Sequence, residues 1–180
     1  RQTVSAGGTI GDNISGATAT YGSNVTSDTT NGVLFNGDGG PGVDDITLPN
    51  NLSFSSSYSF EFYIRHNSNK NYAGIFEFQL DSNNRIALDM YATHRKPRYY
   101  MWSGGSVPFA SHTTDGTHDG TLMTVDGSTY HHMVCNFNGS TGQAEYYQDG
   151  TRVWYHTGLS IDESNFPIVT SGLSAIGDIN

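Results

Sequence analysis

At 180 residues the chain has the length of one domain, enough to bury a core without staples, and its single cysteine excludes an internal disulfide. Eight Lys and Arg stand against 17 Asp and Glu, and a net charge of −9 opposes binding to nucleic acid or to anionic membrane surfaces. No apolar run is long enough for a membrane-spanning helix, while abundant Gly, Ser, Thr, Asn and Tyr favour an all-β protein of many short strands.

Residues 1–30 are mostly small and polar, with isolated Val4, Ile10, Ile14 and Val25. Such a segment is too poor in apolar residues to nucleate a core, and it reads as an arm or linker, either docked on a neighbour or disordered. No secretory signal is visible, and a chain that opens on Arg1 is expected to be processed, trimmed or part of something longer.

The pattern changes at residue 31. "GVLFNGDG" and "DDITLP" read as short strands closed by an acidic glycine turn and by Pro49. "YSFEFYIRH" alternates strictly: Phe60, Phe62 and Ile64 share one face, and Glu61, Tyr63 and Arg65 the other. "AGIFEFQLDSNNRIALDMY" predicts two strands around a "DSNN" turn, with Phe76, Phe78 and Leu80 on one face of the first and Ile86, Leu88 and Met90 on one face of the second. "HRKPR" (residues 94–98) gathers several of the few cations and reads as a solvated turn at a proline. After it, Tyr99 and Met101 oppose Arg98, Tyr100 and Trp102. Residues 103–129 are looser, with turns at "SGG", "TDGTHDG" and "VDG".

"TYHHMVCNFNGSTGQAEYYQDGTRVW" (residues 129–154) poses the question of a metal site, a catalytic cluster or a hairpin. Adjacent strand residues point to opposite faces, so His131 and His132 cannot hold one metal from one face. Alternation puts His131, Met133, Cys135 and Phe137 on the apolar side. "NGSTGQ" and Asp149-Gly150 are turns, so the stretch reads as hairpins.

This stretch resembles the signature hairpin of the laminin-G-like, concanavalin A-like lectin/glucanase superfamily. "GVLFNGDG", "YSFEFYIRH", "GIFEFQLDSNNRIALDMY" and the late "SAIGDIN" resemble further strands of that family, in order, over residues 31–180. The resemblance implies a two-sheet antiparallel jelly-roll sandwich at 31–180, preceded by the extended arm at 1–30. Two departures stand out. The chain reaches Asn180 without the family's last strand, leaving an edge that further chain, the arm or another subunit would fill. And "QDG" puts Gln148 on a face that is usually apolar.

Candidate sites follow. Glycosidases of the superfamily carry closely spaced carboxylates on one strand. Here Glu61, Glu77, Glu145 and Glu163 are scattered, and "EFQLD", with Glu77, Gln79 and Asp81 on one face, is the nearest approach, so no catalytic residue is assigned. Asp38, Asp44 and Asp45 in "NGDGGPGVDD" supply hard oxygen ligands for calcium, as the resemblance implies for loop ends, or form an ordinary acidic turn. "SHTTDGTHDG" offers His112, Asp115, His118 and Asp119 to a transition metal without a specific spacing. Tyr63, Tyr100, Trp102, Tyr147 and Trp154 lie opposite the apolar sets and are the candidate glycan platform, or else core or interface aromatics.

The expected function is a non-catalytic, lectin-like carbohydrate-binding or adhesion module. Its partner would be a glycan or polysaccharide, and its place an extracellular, cell or virion surface. The alternatives are a structural decoration protein of a viral or extracellular assembly, oligomerising through the arm or an open sheet edge, and a glycan-degrading enzyme. Nucleic-acid binding and membrane insertion are not expected.

Overall fold

The computed structural model describes residues 9–11, 18–28, 32–35, 45–47, 57–66, 74–81, 83–91, 96–110, 124, 126–159 and 174–177. All regular structure among them is β: β1 (Thr9–Gly11), β2 (Thr18–Tyr21), β3 (Thr26–Asp28), β4 (Gly32–Leu34), β5 (Asp45–Thr47), β6 (Ser57–Ile64), β7 (Gly74–Asp81), β8 (Asn84–Tyr91), β9 (Lys96–Ser103), β10 (Ser106–Ala110), β11 (His131–Asn138), β12 (Gln143–Gln148), β13 (Thr151–His156) and β14 (Ser174–Gly177).

An eight-stranded sheet runs β1-β2-β5-β14-β7-β8-β9-β10, and a four-stranded sheet runs β13-β12-β11-β6. Every pairing is antiparallel. This is the expected sandwich. β3 and β4 form a separate two-stranded ribbon.

Period-two patterning builds the core. Tyr58, Phe60, Phe62 and Ile64 of β6 and Met133, Cys135 and Phe137 of β11 face Phe76, Phe78, Ile86, Leu88, Met90, Tyr99 and Met101 of the larger sheet. Phe60 joins the two layers, with its ring centroid 5.0 Å from Phe76 and 4.7 Å from Phe78. Two phenols inside this core satisfy each other, Tyr58 Oη and Tyr99 Oη being 2.6 Å apart. Burial raises both pKa values well above the ordinary tyrosine value, and it does the same to the Cys135 thiol, which behaves as a small apolar side chain. Gln148 is buried in the same layer, where its Oε1 accepts from Tyr146 Oη at 2.9 Å, while its Nε2 finds no partner.

The described part of the first 30 residues joins the sandwich. β2 pairs with β5, and Ala19, Tyr21 and Val25 pack with Ile46 in a second, smaller core. Apolar residues too sparse to build a core of their own are enough to complete one that begins at Ile46. "HRKPR" also differs from its reading as a turn. Lys96, Pro97 and Arg98 open β9, with Pro97 fully buried. Pro97 lies before Tyr100, where the pairing with β10 begins, so β9 there has a sheet neighbour on one side among the described strands, a position that tolerates proline.

The hairpin turns take the geometry their residues predict. Asp149 (φ 52°) and Gly150 (φ 78°) give the two positive φ values of a two-residue turn between β12 and β13. Gly142 (φ 60°) closes the β11–β12 turn, and a Cβ there would collide with the backbone of Leu159, whose N–H donates to the Gly142 carbonyl at 3.0 Å. Gly150 has open space around it. Gly142→Ala is therefore expected to destabilise the domain by about 2–3 kcal/mol, against about 1 kcal/mol for Gly150→Ala. Urea unfolding of the two variants side by side checks the order.

Candidate functional site

The alternation that sends Phe76, Phe78, Ile86, Leu88, Tyr99 and Met101 inward sends a second set outward from the larger sheet. Register places Gln79, Arg85 and Trp102 in one row, Glu77, Ala87 and Tyr100 in the next, and Asp89 with Arg98 in a third. Ala87 is the floor of this grid. Around it stand two carboxylates, two guanidiniums and two aromatic rings.

The ring is held by charge and stacking. Arg98 donates two hydrogen bonds to Asp89, from Nε to Oδ1 at 3.0 Å and from Nη2 to Oδ2, a bidentate pair. Its guanidinium lies 4.4 Å from the Tyr100 ring centroid. Arg85 lies 4.7 Å from the Trp102 centroid and 5.9 Å from that of Tyr100, with Nη1 3.7 Å from Glu77 Oε1.

Glu77, Asp89 and Tyr100 are each less than 10% exposed although they lie on the outer face. Burial raises the pKa of Glu77; Arg85 opposes the shift, and Asp89 adds to it. Tyr100 is pushed up to about 12, by burial first and then by the negative charge of Asp89. The surface thus combines hydrogen-bond acceptors, charged donors and aromatic faces around a small floor. That combination suits a flat ligand rich in hydroxyl groups.

The five aromatic residues singled out from the sequence do not form one platform. Tyr100 and Trp102 belong to this ring. Tyr63 and Tyr147 lie on the outer face of the smaller sheet, on the other side of the sandwich. Tyr63 is 69% exposed, and its ring stacks on His132 at 4.6 Å. There His132 Nε2 contacts Glu61 Oε1 at 2.8 Å, and Glu145 accepts from both Tyr147 and Arg152 at 3.2 Å.

Trp154 is the clearest correction: it is 5% exposed, in the core, edge-on to Tyr99 at 6.3 Å. An irregularity between Tyr146 and Tyr147 pairs Tyr146 with Trp154 and Tyr147 with Arg152, which turns Trp154 inward. Selection by aromatic type also passed over Arg85, Asp89 and Arg98. The available signal was charge at alternate positions of two strands joined by a short connection.

Of the candidate calcium ligands, Asp45 opens β5 and is fully buried, while Asp38 and Asp44 lie outside the described residues. The "SHTTDGTHDG" loop and Glu163 lie outside them too. Among the described residues no three His, Cys, Asp or Glu are grouped to hold a metal ion. The described residues include no helix long and apolar enough to cross a membrane.

The adjacent histidines separate as alternation requires. His131 is buried, and its Nε2 accepts the backbone N–H of Thr124 at 3.0 Å. Its Nδ1 therefore carries the proton and donates to Asp149 Oδ2 at 2.8 Å. The pair pins the approach to β11 and leaves no free nitrogen for catalysis.

Nearby His66 has a buried Nε2 without a partner, and its pKa is lowered by burial and by the neighbouring His131. With the folded pKa below the unfolded value, stability is fully present above about pH 6.5 and is lost as pH falls through the folded pKa. His66→Gln is expected to shrink the fall in Tm between about pH 7.5 and 5.5. An unchanged fall would exclude His66 as its source.

The chain belongs to the concanavalin A-like lectin/glucanases superfamily, whose laminin-G-like family model matches residues 38–178. Solved structures with the same fold include domain 4 of an extracellular GH43 arabinanase from Geobacillus stearothermophilus, in complex with arabinotriose. That likeness has a TM-score of 0.62 at 16% identity and covers 96% of this chain and 72% of that one. An endo-1,3-beta-glucanase from Streptomyces sioyaensis follows with a TM-score of 0.54 at 16% identity, covering 98% and 76%. A Bacillus licheniformis beta-glucanase has a TM-score of 0.52 at 12% identity, covering 92% and 66%. No curated protein sequence matches the chain.

Proposed function

We propose that this domain is a non-catalytic carbohydrate-binding module of an extracellular or surface protein, and that the outer face of β7–β9 is its binding surface. The observation that carries the reading is the ring of Glu77, Arg85, Asp89, Arg98, Tyr100 and Trp102 around Ala87. Sugars present hydroxyl groups to such carboxylates and guanidiniums, and their C–H faces pack on indole and phenol rings. The fold shared with an arabinanase domain solved with arabinotriose and with glucanases supports the same ligand class.

The test is a screen of purified protein against arabinans, β-glucans and a broad polysaccharide set, with calcium and with chelator. Saturable binding by the folded domain is expected. Loss of binding in chelator would bring in Asp38, Asp44 and Asp45 as calcium ligands. Absence of all saccharide binding would sink the reading.

One observation favours glycan hydrolysis as a second reading. Glu77 is a buried carboxyl whose pKa burial raises, the direction in which a general acid is tuned, in a ring that holds a second carboxyl, Asp89. Reducing-end release from a bound polysaccharide, abolished by Glu77→Gln, would establish that reading over a binding module.

A further inference from the structure

The two guanidiniums of the ring are not equivalent. Arg98 is committed to Asp89 through two hydrogen bonds. Arg85 has its Nε buried without a hydrogen-bond partner, and its ion pair with Glu77, at 3.7 Å, is longer than a hydrogen bond. It is held in place by the Trp102 ring beneath it. The buried Nε does not face solvent, so a ligand would meet the partly exposed end of the group; a planar guanidinium held beside an aromatic platform fits a planar or tetrahedral oxyanion.

The distribution of charge points the same way. The chain has only 8 Lys and Arg, yet Arg85, Lys96 and Arg98 alternate onto the outer face of β8 and β9. Among the described side chains of this face they oppose two carboxylates, Glu77 and Asp89, and burial raises the pKa of Glu77. The remaining acidic groups act through solvent that screens charge over roughly 8 Å at physiological salt, so contact at Arg85 outweighs the net −9.

We infer that the ligand of this face is an acidic saccharide, whose carboxylate or sulfate oxygens dock on Arg85 while the sugar ring packs on Trp102. The inference rests on the carbohydrate-binding reading and makes Arg85 the residue that sets specificity within it.

Calorimetric titration of the full chain separates the possibilities, using polygalacturonate, its methyl ester, dextran sulfate and neutral arabinan. Polygalacturonate is expected to bind roughly tenfold tighter than the ester, in which the anion is masked. Arg85→Gln is expected to erase that difference, the acid then binding no more tightly than the ester. Preference for dextran sulfate over polygalacturonate would assign the anion to a sulfate ester and support the shared chemistry.

Equal binding of acid and ester overturns the inference, and so does a preference that survives in Arg85→Gln. Binding of neutral arabinan alone overturns it while leaving the carbohydrate-binding reading standing. No binding of any of the four overturns the inference and leaves the carbohydrate-binding reading to the broad polysaccharide screen. The comparison of acid with ester needs no variant, so a poorly folding Arg85→Gln does not blunt it.

Discussion

Trp154→Ala is expected to lower the stability of the domain by about 3–5 kcal/mol. The indole is 5% exposed and packs edge-on to Tyr99, itself fully buried and hydrogen-bonded to Tyr58. Truncation leaves a cavity between β13 of the smaller sheet and β9 of the larger one, where backbone pairing does not let the layers close over it. Urea unfolding monitored by circular dichroism checks the loss. A change below about 1 kcal/mol would mean that Trp154 is not a core residue.

Trp102→Ala is expected to do the reverse. Trp102 is only partly buried on the outer face of β9, and its described partner is the Arg85 guanidinium. Its loss should cost the fold about 1 kcal/mol or less. Binding should suffer far more, because the variant loses the stacking surface and frees Arg85 to move. An anchor tryptophan at a binding surface contributes about 2 kcal/mol or more, roughly a thirtyfold rise in Kd. Parallel unfolding and polysaccharide titration of the two tryptophan variants should therefore give opposite rankings. Equal loss of binding in both, or retained binding in Trp102→Ala, would remove the outer face of β7–β9 from consideration.

Much of the sandwich is legible in the sequence because its strands are long and strictly alternating. "YSFEFYIRH" and "HHMVCNFN" show which residues turn inward, and Asp149-Gly150 shows where the chain reverses. Alternation says which side of a strand is buried but not which sheet the strand joins. Tyr63 and Trp102 therefore look equivalent in the sequence and end on opposite sides of the molecule. Trp154 was hidden for a different reason, since one irregular pairing between β12 and β13 reverses the phase of every residue after it.

The ring around Ala87 depends on register between β7, β8 and β9, which brings together residues with no local signal in common. Asp89 and Arg98 face each other across a ladder, nine residues apart in sequence. Ala19, Tyr21 and Val25 were invisible as core for a similar reason: their partner, Ile46, is supplied by a distant strand.

The chain has two tryptophans, so a proton–nitrogen correlation spectrum should show two indole N–H signals, assignable with Trp102→Phe and Trp154→Phe. Titrating the domain with a saccharide that it binds tests the central claim directly. The Trp102 signal should shift saturably with ligand while the Trp154 signal holds its position. Binding that leaves Trp102 unmoved, or that moves resonances of Tyr63, His132 and Tyr147 on the opposite sheet instead, would contradict the placement of the site on β7–β9.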